Sequence, residues 1–245
     1  MSGMPRAGWH VATVAATHRE TPNASRIELD VDGWPGNAAG QHLDVRLTAP
    51  DGYSATRSYS IASSGSSSSV VLAVDKLPDG EVSPFLHDIA RTGDHIELRG
   101  PLGGHFVWPG NTESTVLLIG AGSGVVPLMS MIRQRNTSGQ AVPTALLLSS
   151  RTWRDVLFRD ELFAAEKSES GFYFALTLTR EPPTRESDFA RRIDGDMVAD
   201  VAGRLPVPPG YVFVCGSNDF ANAAADGALA SGIPAAIVRT ERYGG

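Results

Sequence analysis

Arg57, Ser58, Tyr59 and Ser60 put a guanidinium, an aromatic ring and two hydroxyls in consecutive positions, among strand-forming neighbours. In a strand, Arg57 and Tyr59 project to one face and Ser58 and Ser60 to the other. A guanidinium pairs with a diphosphate through parallel hydrogen bonds. A tyrosine ring stacks on a planar heterocycle, and a hydroxyl at a strand edge bonds a ring nitrogen. These are the needs of a flavin dinucleotide. An exposed strand of ordinary amphipathic alternation has the same residue types, so both readings stand at this point.

A second group lies in LLIGAGSGVVPLMSMI, where Gly120, Gly122 and Gly124 separate an apolar run from a helical pattern. Glycines there let the backbone turn tightly and approach a ligand. The helix start offers unpaired N–H groups and a positive dipole to a phosphate. A plain strand-to-helix turn shares that composition. The next apolar run ends in LSSRTWRD, so Ser149 and Arg151 emerge beside the glycine loop. A hydroxyl with a guanidinium suits the 2′-phosphate of NADPH, whereas a carboxylate would suit the ribose of NADH. A solvated loop arginine is the alternative for Arg151. The loop runs on to Pro127 instead of a further glycine, unlike an ordinary dehydrogenase fingerprint.

The elements that must position these groups come in two styles. Up to about residue 109, short runs rich in Val, Ile, Leu and Thr alternate with turn formers. WHVATVAATHRE, SRIELDV, QHLDVRLTA, YSATRSYSIAS, SVVLAVDKL and DHIELRG read as six strands of a small antiparallel barrel. One helical interlude, SPFLHDIA, has Ser83 as its N-cap and Pro84 at the first helical position. The serine run at 63–69 reads as a flexible hairpin loop. From residue 110 the style changes. TVLLIG and PTALLLSS are apolar throughout, as strands covered on both faces are. FYFALTLTR and YVFVCGS follow as further strands. Helices are expected over SGVVPLMSMIRQRN, RDVLFRDELFAAEK and NDFANAAADGALASG, and AAIVRTERYGG closes the chain. Alternating β and α implies a doubly wound, mainly parallel sheet. The turn from Pro109 to Asn111 marks the boundary, giving domains over 1–109 and 110–245.

The totals exclude several classes. With 245 residues, 42% hydrophobic and 20% charged, the chain supports packed cores. A net charge of −6 argues against a nucleic-acid partner. No apolar run reaches membrane-spanning length, and MSGMPRAGWH lacks a signal core, so the expectation is a cytoplasmic protein with no membrane partner. Six scattered histidines make no metal-type pair, and the one cysteine, Cys215, cannot supply the thiolates of an iron–sulfur cluster.

The motifs taken together resemble the ferredoxin–NADP⁺ reductase superfamily over nearly the whole chain. RSYS is similar to its flavin motif, GEVSPFLHDI to its Gly-x-x-Ser segment, and GDHIELRGPLGGHF to its Gly-Pro-x-Gly hairpin. GAGSGVVP is similar to its pyridine-nucleotide loop, VFVCGS to its late Cys-Gly motif, and RTERYGG to its aromatic tail. The resemblance implies an N-terminal flavin-binding β-barrel followed by an NADP-binding α/β sheet. It implies that Arg57 holds flavin phosphates, Tyr59 stacks on the ring and Ser60 lies near its N5, with Ser58 in the same motif. Gly80, Val82 and Ser83 would hold the pyrophosphate of FAD. Gly120, Gly122 and Gly124 would face the pyrophosphate of NADPH, with Ser149, Arg151 and Arg180 at its 2′-phosphate. Cys215 and Gly216 would line the nicotinamide site, and Glu241 and Tyr243 would cover the flavin until nicotinamide displaces the tail. Cys215 also reads as a buried core thiol, and Tyr243 as a tail residue packed on the surface. The implied activity is hydride transfer from NADPH to FAD, then single-electron delivery to a separate ferredoxin or related carrier, supporting an oxygenase. Arg191 and Arg192 are a candidate docking patch. A ferric-chelate or free-flavin reductase, a non-catalytic flavoprotein subunit and a nucleotide-binding regulator are the alternatives.

Overall fold

The computed structural model describes residues 8–110, 112–137, 142–168 and 170–243. Asn111 of the boundary turn, the first seven residues and the two closing glycines lie outside them. The chain forms two compact units, one of residues up to Trp108 together with Met129–Gln134, the other of Pro109–Leu128 and Arg135 onwards.

The first unit is built on β1 (Trp9–Thr21), β2 (Ala24–Val31), β3 (His42–Thr48), β4 (Ser54–Ser60), β5 (Ser69–Asp75) and β6 (His95–Leu102). These pair antiparallel in the order β4-β3-β6-β1-β2-β5. A bridge between Ile61 and Leu72, with Ala62 N–H donating to Val71 O at 2.7 Å, joins the two outer strands and closes the barrel. Period-two alternation drives the closure. In β2, Ile27, Leu29 and Val31 are buried while Arg26, Glu28 and Asp30 turn outward. The inward residues pack into one apolar core with Leu43, Val45, Val70, Leu72, Ile96 and Leu98.

The helical interlude is a single π-helical turn, Phe85–Ile89. Its N-cap is Pro84, and Ser83 makes no cap; its Oγ instead accepts from Leu77 N–H at 3.1 Å. The serine run is tied down: Asn37 and Gly65 exchange two backbone hydrogen bonds of 2.9 and 2.8 Å, and Asn37 Nδ2 donates to Ser63 O at 2.8 Å. Buried Asn37 supplies the partners that the run's composition does not reveal.

The second unit holds a parallel sheet of β7 (Val116–Ala121), β8 (Thr144–Ser150), β9 (Phe172–Leu178), β10 (Tyr211–Gly216) and β11 (Val238–Arg242), in the order β11-β10-β7-β8-β9. Its helices are α2 (Arg159–Ser168), α3 (Gly195–Ala202) and α4 (Asn218–Ala230), with the two ends of α1 (Val125–Thr137), whose middle, Met129–Gln134, belongs to the first unit. Every residue of β8 is buried, as both faces are covered. One face packs Leu117, Ile119, Leu147 and Val214 against Met197, Val198 and Val201 of α3 and Ala221, Ala224 and Ala228 of α4.

This unit contains two elements beyond those expected, α3 and β11. Helix α3 is eight residues long and starts at a glycine; its signal is Asp194, whose carboxylate accepts from Met197 N–H at 2.8 Å. Helix α2 also starts five residues later than its apolar spacing suggests, after a 3₁₀ turn at Trp153–Asp155. Phe158, buried and at φ 53°, adopts a left-handed conformation that breaks the run.

Candidate functional site

In the first unit, strand register sets out the residues of the RSYS motif. Arg57, Ser58, Tyr59 and Ser60 of β4 lie opposite Val45, Asp44, Leu43 and His42 of β3. Tyr59 is half-buried and packs on the barrel core together with Phe85. Burial raises its phenol to about 12, so the ring is neutral. Arg57 projects into solvent, where one guanidinium nitrogen donates to Thr56 O at 2.8 Å and another contacts Glu81 Oε2 at 2.5 Å. Ser58 is engaged on the opposite face, where its Oγ donates to Asp44 Oδ1 at 2.6 Å. Asp44 also accepts from Arg99 at 2.5 Å; burial opposes its ionisation, but these two hydrogen bonds hold its carboxyl below the ordinary value.

Gly80 closes the turn that leads to Ser83, its N–H donating to Leu77 O at 2.9 Å. A Cβ on Gly80 would stand 2.9 Å from Ser83 Oγ and 3.1 Å from Leu77 O, so a larger residue would have to push the hydroxyl aside. Val82 is fully buried in the barrel core and can offer a ligand only its backbone. Ser83 Oγ accepts from Leu77, which leaves its own proton for another acceptor. An exposed guanidinium, a hydroxyl proton and a half-buried ring on an apolar floor fit a phosphorylated planar ring.

The sequence reading missed four residues here. His42 faces Ser60 across the ladder, and burial lowers its pKa against the pull of Asp44, which favours the neutral ring. Asp44, Glu81 and Tyr53 are the others. The alternation in QHLD places His42 and Asp44 on one face, but only the β3–β4 register reveals what they face.

In the second unit the strand order reverses between β7 and β10, whose carboxyl ends therefore open a crevice. Gly122 occupies it at φ 52°. Gly124 sits so close to β10 that a Cβ would lie 2.2 Å from Cys215 O. A Cβ on Gly120 would lie 2.9 Å from Leu128 Cδ1 of α1. These contacts leave the loop's backbone as the lining of the crevice. Cys215, in register with Gly120 and with Glu241, is buried. Burial first and then the Glu241 charge push its thiol well up, so it stays protonated and is no nucleophile. Burial likewise pushes the Glu241 carboxyl up to about 7. The Tyr243 hydroxyl donates to Ala121 O at 2.5 Å and its N–H to Gly216 O at 3.2 Å, which lays the tail across the glycine loop.

Ser149 is buried near the end of β8, in register with Ala121 and Thr177. Arg151 and Arg180 are exposed, and Arg180 N–H donates to Arg151 O at 2.9 Å, which joins the ends of β8 and β9. Two acids lie at the same end of the sheet: Glu181 accepts from Trp153 N–H at 2.7 Å, and Asp155 accepts from Thr152 Oγ1 at 2.7 Å. Exposed Arg154 adds a further cation from the 3₁₀ turn. Among these groups three guanidiniums face two carboxylates, a positive excess of one that suits a phosphate. Arg191 of the candidate docking patch is paired with Asp194 at 2.6 Å, and Arg192 is exposed.

Known proteins resemble the chain in sequence and in fold. Residues 12–108 match the oxidoreductase FAD-binding domain family and residues 118–226 the oxidoreductase NAD-binding domain family. The chain is 30% identical to ferredoxin–NADP reductase B of Sorangium cellulosum over 88% of its own length and 91% of that protein. It is 29% identical to the reductase component of propane 2-monooxygenase from Mycolicibacterium goodii, where it spans 80% of itself but 56% of the relative. The FAD/NAD-binding domain of nitric oxide dioxygenase from Vibrio cholerae shares the fold, with a TM-score of 0.84, 21% identity, and coverage of 98% of this chain and 100% of that one. The chain belongs to the ferredoxin–NADP reductase superfamily of oxidoreductases, with an FAD-binding and a nicotinamide-nucleotide-binding domain.

Proposed function

We propose that the chain is an NADPH-dependent FAD reductase that passes a hydride from NADPH to FAD and then single electrons to a separate carrier protein such as a ferredoxin. The observation that carries the choice of NADPH is the joined pair Arg151 and Arg180, which together with exposed Arg154 outnumber the neighbouring carboxylates Glu181 and Asp155. Similarity to two relatives, a ferredoxin–NADP reductase and a monooxygenase reductase component, supports a protein acceptor in an oxygenase system. The chain has a single cysteine, so an iron–sulfur centre in the electron path would be held elsewhere.

A bound flavin supplies the exchange between two-electron and one-electron chemistry. The residues supply placement. In the domain over 1–109, Tyr59 supports the ring, Arg57 and the Gly80, Val82 and Ser83 segment bind its phosphates, and Ser60 presents a hydroxyl to the ring edge. In the domain over 110–245, Gly120, Gly122 and Gly124 admit the nicotinamide nucleotide's pyrophosphate to the α1 N-terminus. Ser149, Arg151 and Arg180, with Arg154, bind the 2′-phosphate. Cys215 and Gly216 line the nicotinamide position with a neutral thiol and bare backbone. Tyr243 must leave Ala121 for that position to fill, and Glu241 is poised to hold a proton at neutral pH. The setting proposed is the cytoplasm.

Anaerobic mixing of the FAD-loaded protein with each nicotinamide nucleotide tests the reading. Bleaching of the flavin absorbance is expected much faster with NADPH than with NADH, followed by reoxidation on adding ferredoxin. Faster bleaching with NADH would remove the roles given to Ser149, Arg151 and Arg180. Reoxidation by ferric chelate or free flavin but not by ferredoxin would move the acceptor to a small molecule.

A further inference from the structure

The guanidinium assigned to the flavin phosphates already holds an anion. Arg57 contacts Glu81 Oε2 at 2.5 Å, and the other carboxylate oxygen of Glu81 accepts from the Tyr53 hydroxyl. Glu81 stands between Gly80 and Val82, inside the segment that the proposed function gives to the same phosphates. The three side chains come from three places: Tyr53 precedes β4, Arg57 lies within it, and Glu81 lies in the turn before the π-helical residues. Their meeting is a product of the fold.

Carboxylate and phosphate oxygens are interchangeable partners of a guanidinium. While Glu81 occupies Arg57, a phosphate must displace it or lie beside a like charge. The Tyr53 hydrogen bond, and after it the Arg57 charge, keep Glu81 below the ordinary carboxylate range, so it is an anion at neutral pH. The turn that carries Glu81 is closed by the Gly80 N–H, which donates to Leu77 O at 2.9 Å, and by the Leu77 N–H, which donates to Ser83 Oγ at 3.1 Å.

Resting on the proposed flavin site, we propose that Glu81, held by Tyr53, is an internal competitor for Arg57 that sets how tightly the protein holds the phosphate-bearing part of its flavin. The carboxylate satisfies Arg57 when the site is empty and gives way when phosphate arrives. The competition acts on phosphate alone, so it distinguishes FAD from riboflavin, which has the same ring and no phosphate. The flavin would accordingly be exchangeable, and Glu81 is the specificity-determining residue for that exchange.

The test is a fluorescence titration of the full-length apoprotein with FAD and, separately, with riboflavin at low ionic strength. Glu81→Gln keeps the shape and removes the charge. It is expected to tighten FAD binding about fivefold and to leave riboflavin binding unchanged; the modest size reflects the exposure of the pair. Tyr53→Phe frees the carboxylate from its second anchor and should tighten FAD in the same direction by less. In an Arg57→Ala background, Glu81→Gln should lose most of its effect, since the contested partner is gone. The proposal is overturned if E81Q binds FAD no more tightly than wild type, or if riboflavin tightens equally. If E81Q does not fold, as judged by circular dichroism, an unchanged FAD affinity in Y53F overturns it. A folded wild-type protein that binds neither flavin rejects the flavin site itself, a different result from an E81Q that binds FAD unchanged.

Discussion

Replacing Gly124 by alanine probes the close approach on which the nucleotide crevice depends. The added Cβ would lie 2.2 Å from Cys215 O, 2.6 Å from Cys215 C and 3.0 Å from Gly216 N. Ordinary contact begins near 3.4 Å, so the shortfall is 3.4 − 2.2 = 1.2 Å. All three obstructing atoms are backbone, and no rotamer relieves them. Either the glycine loop withdraws from β10, or the Cys215–Gly120 rung of the sheet opens. Inserting a methyl into a packed site costs about 1–3 kcal/mol, and a backbone obstruction belongs at the upper end, about 2–3 kcal/mol. At about 2–4 °C per kcal/mol for a chain of this size, the melting temperature should fall by about 4–12 °C. The loop that moves is the one proposed for the pyrophosphate, so the NADPH dissociation constant should rise at least tenfold, measured by calorimetric titration. Gly104→Ala is the control, because its Cβ meets nothing within 4 Å and its φ is ordinary. A G124A protein that melts within about 1 °C of wild type and binds NADPH normally would refute the close approach between the loop and β10.

Other perturbations follow from the same geometry. Glu241 titrates near 7 in the fold against 4.5 for the free side chain, so the folded state keeps a proton that the unfolded chain has lost. Its contribution is full below pH 4.5, is lost as pH rises through about 7, and amounts to about 3 kcal/mol at most. Thermal melts from pH 4 to 8 should show E241Q with a flatter profile and higher stability than wild type at pH 8; an unchanged slope would remove Glu241 from the account. Arg151→Ala and Arg180→Ala should each slow flavin reduction by NADPH about tenfold in stopped-flow traces while sparing NADH, and equal losses with both nucleotides would contradict the 2′-phosphate role. Asp188, whose side chain is fully buried, accepts from Leu176 N–H at 3.0 Å and from Arg185 at 2.7 Å. Asp188→Ala strands the Leu176 N–H and takes one of two carboxylates from Arg185, which keeps Glu166 and Phe174 O, and should cost about 3 kcal/mol in urea denaturation, more than Asp188→Asn, which still accepts the Leu176 hydrogen bond.

Much of the fold was legible because periodicity is a local property. The alternation in SRIELDV and the unbroken apolar run in TALLLSS report burial on one face or two without reference to the rest of the chain. The short helix α3 escaped because eight residues carry little periodic signal, and the start of α2 was misread because Leu157 and Phe158 are apolar for reasons of burial, not of helical phase. The serine run looked free because its anchor, Asn37, lies 26 residues away from Ser63.

The site divides along the same line. The sequence alone supplied the residue types and their order: Arg57 and Tyr59 on one strand, three glycines between a buried strand and a helix, and arginines after the next two strands. Those choices are chemical, and a short segment carries them whole. The tertiary structure decided which groups meet. It set His42 across from Ser60, gave Ser58 to Asp44, joined Arg151 to Arg180, laid Tyr243 on Ala121 and placed Glu81 against Arg57. Strand register and turn closure fix these pairings, and both depend on residues far apart along the chain, whose separation in space no local pattern encodes.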